Sequence, residues 1–288
     1  MDADLDTLCT VVYCTADDLL PEARANARRK VTDAEVVTLC VAQAIMGLSS
    51  DRIFLAVARQ RLCHLFPRLP GQAGYFKRRR RLADTIEWLL GVFAADSPGA
   101  VDELLLIDST PVECARSRET VQRSALGEAA DYGYCASHSR YFWGFRLHLV
   151  AAPDGTPRAL ALASPKVDER QVGLRLVERC AAGGETLIGD KGYAGRSFAE
   201  GVAALGVVVA RPKRLDEDGA GPHLAPIRQR IESIFWSLKG TLGLERHGAR
   251  SLAGLRERVL QRVLCLAVCV WLNHRLGRPS RALVNYCA

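Results

Sequence analysis

The chain has 288 residues, 49% hydrophobic and 25% charged, with a formal net charge of +7. These are globular proportions of one or two domains, which excludes disordered, collagen-like and disulfide-knot classes. Residues 191–288 carry 16 Lys and Arg against 7 Asp and Glu, whereas residues 101–190 carry 10 against 13, and a basic surface of that kind suits a polyanion such as nucleic acid.

Residues 1–98 read as an all-helical domain. Thr32-Asp33-Ala34-Glu35 is a capping box, and Val36, Val37, Leu39, Cys40, Val41, Ala44 and Ile45 follow at helical spacing as far as Gly47. Ser49 or Ser50 opens a second helix to about Leu65, and a third runs from about Gly74 to Phe93, with five consecutive cations, Lys77, Arg78, Arg79, Arg80 and Arg81, near its start. Two short helices before a basic one fit a helix-turn-helix-like DNA-binding region, or a plain bundle with a solvated cationic end.

Ser97-Pro98-Gly99 marks the boundary to a second domain, residues 99–288, where strands alternate with helices. Leu104–Ile107 is a strand covered on both faces. Tyr141–Ala151 alternates as a second strand, Pro153-Asp154-Gly155 turns, and Ala159–Ala163 returns. A helix over 168–182 precedes a strand at Thr186–Gly189; a helix at about 196–205 precedes a strand at Val207–Ala210. The segment from Pro212 to Pro226, with Asp216-Glu217-Asp218-Gly219, is a polar loop before a helix from about Ile227 to Leu238, and residues 252–276 form a helical tail. The plan is α/β: a mixed five-stranded sheet flanked by helices. The longest apolar runs fall short of the ~20 residues that span a bilayer, and Asp2, Asp4 and Asp6 stand where a basic leader would, so a soluble, cytoplasmic protein is expected. The ten cysteines hold no CxxC pair and read as reduced thiols.

Three carboxylates carry the chemistry. Asp108 follows the first strand and Asp190 the fourth, and ligands of open α/β sheets collect outside strand ends. Each alone reads as a turn or cap residue at a strand end; the pair together points to a site. As neighbours they repel, unless a proton or a hard cation such as Mg²⁺ or Mn²⁺ sits between them. Glu232 shares one helical face with Arg228 and Lys239, at spacings of four and seven residues. By itself that stripe reads as a solvent-facing row of ion pairs; following two strand-end aspartates, it suits a metal-bound anionic substrate, with Arg228 and Lys239 on phosphate oxygens.

Asp108 in Leu-Ile-Asp-Ser-Thr-Pro-Val, Asp190 in Gly-Asp-Lys-Gly-Tyr, and Glu232 in Arg228-x3-Glu232-x6-Lys239 together resemble the DDE transposases of bacterial insertion sequences. Trp143-Gly144-Phe145-Arg146-Leu147-His148 resembles a strand motif of the same family. Ala225 stands where the family's signature has tyrosine.

The resemblance implies an RNase H-like fold with the first and fourth strands adjacent. It further implies metal-dependent DNA cleavage and strand transfer, with Asp108, Asp190 and Glu232 holding two Mg²⁺ ions that Mn²⁺ can replace, and a homodimer on double-stranded DNA. Phosphate contacts are expected from Arg228, Lys239, Lys191 and the run Lys77, Arg78, Arg79, Arg80 and Arg81. Tyr193 either touches DNA or shapes its turn, Trp236 is a core or base-stacking aromatic, and His148 is a packed strand residue or a neighbour of the metal site.

Overall fold

The computed structural model describes residues 3–21, 30–135, 139–213 and 222–287. The acidic stretch Asp216–Asp218 of the expected polar loop lies outside them. The chain divides into two compact units, one of Met1–Phe93 with Ser237–Ala288 and one of Ala94–Trp236. No helix among the described residues is long and apolar enough to cross a membrane, and all ten cysteines are free thiols.

The first unit is helical: α1 (Ala3–Leu19), α2 (Asp33–Ile45), α3 (Asp51–Arg61), α4 (Gln72–Arg81), α5 (Ala83–Ala95, ending just past the unit boundary) and, from the far end of the chain, α10 (Leu252–Arg275). The capping box forms as expected: Thr32 Oγ1 accepts from the Glu35 N–H at 3.0 Å, and the Glu35 carboxylate accepts from the Thr32 N–H. Ser50 caps α3. The single helix expected over 74–93 is broken at Leu82, with no proline or glycine to announce it. Tyr75 and Arg79 are buried before the break, and Ile86, Leu89 and Phe93 after it.

Arg79 corrects the reading of the basic run. One turn after Tyr75, it faces inward and is 1% exposed. Its guanidinium meets Asp51 at 2.6 Å and Glu257 at 2.5 Å, while Arg258 reaches Asp51 at 2.7 Å. Gln43 donates to Asp51 at 3.0 Å and accepts from the Tyr75 hydroxyl at 2.9 Å. Arg79 is therefore spent on the interior and is not available to a DNA backbone. Arg78, half-buried, is held by Asp33 and by the Val31 carbonyl. Lys77, Arg80 and Arg81 are exposed.

The same cluster explains where the C-terminal helix goes. The sequence attached it as a tail to the second domain; in the structure it packs with α1, α2 and α4. From Leu255 to Asn273 nearly every residue of α10 is buried, so it needs neighbours on every side. Its buried Glu257 and Arg258 find counter-charges on α4 and α3. Desolvated charges cost several kcal/mol each unless paired, which ties the two ends of the chain into one folding unit.

The second unit is a six-stranded mixed sheet: β1 (Leu104–Ala115), β2 (Asp131–Cys135), β3 (Arg140–Ala151), β4 (Pro157–Ala163), β5 (Thr186–Ile188) and β6 (Val208–Ala210). The order is β2-β3-β1-β5-β6, with β4 also on β3. β2 and β4 pair with successive stretches of β3, residues 140–144 and 146–151. The architecture is the expected RNase H-like one, with the first strand between an antiparallel neighbour, β3, and a parallel one, β5. The sixth strand, β2, escaped the sequence because Asp-Tyr-Gly-Tyr-Cys holds no apolar run; Tyr132 and Tyr134 are exposed. β1 also runs on to Ala115 rather than stopping before Asp108. Its Pro111 is tolerated because β5 pairs only with Leu104–Leu106, so β1 has a partner on one side alone at that point. Gly144 is required where β1 bulges: its φ is +155°, and a Cβ there would lie 2.2 Å from the Val112 carbonyl oxygen.

Helices α6 (Arg118–Gln122), α7 (Glu169–Cys180), α8 (Arg196–Ala204) and the first three turns of α9 (Ala225–Lys239) complete this unit. The α7–α8 layer buries Leu105, Ile107, Val150, Leu187, Val172, Leu176, Phe198 and Val202 in one core, each side chain contributing about 1.5–3 kcal/mol.

Two outcomes follow. Residues 1–98 alone should show no cooperative melt by circular dichroism, whereas residues 1–93 joined by a flexible linker to 237–288 should melt cooperatively. Glu257→Gln should lower stability in urea titration by about 3–5 kcal/mol, because it leaves Arg79 buried and underpaired.

Candidate active site

Leu106 pairs with Ile188 in the parallel β1–β5 ladder. Asp108 and Asp190 each stand two residues further on, where β5 ends and β1 continues. The Asp108 carboxylate accepts the Ser109 N–H at 2.7 Å. Burial pushes its carboxyl up to about 7, and the charges of Asp190 and Glu169 push the same way, against the Ser109 N–H and Arg228. Asp190 caps the single turn Lys191–Tyr193 and accepts the Gly192 N–H at 2.7 Å. Lys191 is exposed on that turn.

Tyr193 is the turn's anchor. Its ring is 1% exposed and packs 5.6 Å from the Phe198 ring. Gly189 and Gly173 make the space: a Cβ at either would lie 2.9 Å from the tyrosine ring. The Tyr193 hydroxyl has no hydrogen-bond partner among the described residues. Burial, then Asp108, Glu169 and Asp190, push it well above the usual phenol range. Tyr193 thus shapes the turn and does not face solvent.

On α9, Arg228 is half-buried and its positive charge acts on Asp108. Glu232 follows one turn later and is exposed. Ile231, Ile234 and Phe235 are buried, whereas Trp236 is 71% exposed and is no core residue. Lys239 belongs to the first unit, where it pairs with Glu245 at 3.5 Å. His148 is fully buried in β3; burial and then Arg146 push its ring down to about 4, so it is a neutral packing residue.

The structure adds one acidic residue that the sequence reading missed. Glu169, in the first turn of α7 beside its N-cap Asp168, accepts the Ser109 hydroxyl at 3.3 Å and pairs with Arg146 at 3.0 Å. The available signal was a helix beginning Asp-Glu-Arg directly after a returning strand.

Among the described residues no three His, Cys, Asp or Glu side chains form a ready-made metal shell. The donor set nevertheless suits a hard cation. When both are ionised, Asp108 and Asp190 carry more negative charge than Arg228 cancels, and both offer hard oxygen donors.

Residues 99–268, more than half of the chain, match the family model of the transposase DDE domain. The chain belongs to that family. No curated protein and no solved structure matches it. In the DDE transposase domain divalent metal ions are generally used, in keeping with the excess negative charge around Asp108. The matched span opens just before β1 and contains all of the elements that carry Asp108, Asp190 and Glu232.

A raised carboxyl fixes the sign of a pH effect. The folded state holds the Asp108 proton up to about pH 7 and the unfolded chain releases it near 3.8. Without metal, ionising Asp108 therefore lowers stability progressively between pH 4 and 7, by about 4 kcal/mol in total. His148, lowered to about 4, acts oppositely as pH rises toward 6.5. The difference between wild type and Asp108→Asn isolates the aspartate. In EDTA, Asp108→Asn should melt increasingly above wild type as pH rises from 5 to 8.

Proposed function

We propose that the chain is the transposase of a bacterial insertion sequence, acting in the cytoplasm. It cleaves DNA at the ends of its element and joins the freed 3′-ends to target DNA by metal-dependent phosphoryl transfer. The observation that carries this is that Asp108 and Asp190 each stand two residues past the paired Leu106 and Ile188 of adjacent parallel strands in a DDE transposase domain, with the charge of one acting on the other.

In this reading Asp108 and Asp190 hold Mg²⁺, or Mn²⁺ in its place, from the sheet, and Glu232 joins them from α9. Divalent ions in such a site activate the attacking oxygen and stabilise the leaving one. Asp108, on the central strand of the sheet, is the residue best suited to serve two ions. Arg228 brings a cation beside it for the non-bridging oxygens of the scissile phosphate. Lys239 would exchange its Glu245 partner for phosphate, and Lys191 extends the basic rim. The element's ends are recognised by the N-terminal helices, with Lys77, Arg80 and Arg81 on the DNA backbone; two ends are processed by a dimer.

The test is an assay of labelled element ends with a target plasmid and Mg²⁺. Wild type is expected to cut and join. Asp108→Asn and Asp190→Asn should lose about 10²- to 10³-fold or more in cleavage while DNA binding by gel shift is retained. Cutting without joining would make the protein a nuclease instead, and undiminished cleavage by Asp108→Asn would remove that residue from the site. Separately, the triple variant Lys77→Ala, Arg80→Ala, Arg81→Ala should weaken binding to all sequences alike. The slope of log affinity against log salt should shrink by about 0.9 per lost contact.

A further inference from the structure

Beside the aspartates lies a clamp that neither the metal chemistry nor the DNA contacts account for. The Arg146 guanidinium donates to the Ser109 hydroxyl at 3.0 Å and to the Tyr134 carbonyl at 2.7 Å, pairs with Glu169 at 3.0 Å, and lies 5.7 Å from the centre of the Phe142 ring. Ser109 in turn donates its hydroxyl to Glu169 and its N–H to the Asp108 carboxylate. A partly exposed ion pair adds little stability by itself, so the placement of this one matters more than its strength.

Resting on the reading of Asp108 as a metal ligand, we propose that Glu169 is a positioning residue of the same centre. It cancels the charge of Arg146 and fixes Ser109, so that Asp108 stays oriented in a field that favours a divalent cation. Arg146 is held from several directions, by the Tyr134 carbonyl, the Ser109 hydroxyl and the Phe142 ring. It therefore remains in place when Glu169 loses its charge, and it then stands as an unbalanced cation next to the residue that follows Asp108. Neutralising Glu169 changes the local charge by one unit without removing any ligand. Outer partners that orient ligands in this way are typically worth about 10- to 100-fold in metal affinity.

The experiment measures Mn²⁺ affinity of the full chain by electron paramagnetic resonance, alongside the melting temperature in EDTA. Glu169→Gln should bind Mn²⁺ about 10- to 100-fold more weakly than wild type with nearly the same melting temperature. Glu169→Asp, which keeps the charge, should recover most of the affinity. The double variant Arg146→Met, Glu169→Gln restores the local charge and should also bind more tightly than Glu169→Gln. Wild-type affinity in Glu169→Gln, together with lost binding in Asp108→Asn, overturns the role of Glu169 alone. Wild-type binding in Asp108→Asn overturns the reading of Asp108 itself. If Glu169→Gln loses affinity only together with its fold, and neither Glu169→Asp nor the double variant recovers it, the clamp is merely structural and the proposal fails.

Discussion

Parallel pairing of β1 with β5 leaves Asp108 and Asp190 each two residues past a paired position, where one strand ends and its neighbour runs on, and the charge of Asp190 acts on Asp108. Like charges in a partly desolvated setting repel strongly, and burial alone already favours the neutral form. The Asp108 carboxyl, pushed up to about 7, registers both effects. Much of the second unit is arranged around that pair. Gly189 and Gly173 admit the Tyr193 ring, which anchors the turn that Asp190 caps. The bulge at Glu113–Ala115, with Gly144 opposite, lets β1 continue past the site along β3. The first turn of α7 brings Glu169 to Ser109, and α9 brings the charge of Arg228 to Asp108.

The first unit answers a different electrostatic problem. Its core encloses Arg79, Arg258 and Arg262 with Asp51 and Glu257, charges drawn from α3, α4 and α10. Such a cluster is costly unless every member is in place, so it specifies one arrangement of helices that come from opposite ends of the chain. The consequence is that part of the apparent basic surface is interior. The strongly positive last third of the sequence includes Arg258 and Arg262, which are buried, and the run at 77–81 keeps three outward cations of its five. Net charge overstates what a DNA backbone meets.

Local patterns carried a good part of the fold. The capping box at Thr32, the Ser50 cap, the buried run at Leu104–Ile107, the hairpin at Pro153–Gly155 and the helix before Thr186 all rest on short-range hydrogen bonding and hydrophobic period, and each stands where the residues put it. What failed did so where the deciding partner is remote. Nothing near Arg79 says that Glu257 lies beside it. Nothing near Leu82 breaks a helix. The five-residue strand Asp131–Cys135 pairs with β3, but it has no apolar run to announce it.

The sequence by itself determined most of the element types and their order, the family to which residues 99–268 belong, and Asp108, Asp190 and Glu232 as the acidic candidates, because these depend on neighbours a few positions apart and on a spaced motif. Only the tertiary structure decided that Asp190 comes near enough for its charge to act on Asp108, that Glu169 reaches Asp108 through Ser109, and that α10 completes the N-terminal helices. Those outcomes come from strand register and from the pairing of buried charges, and both are settled between segments that are distant in the chain.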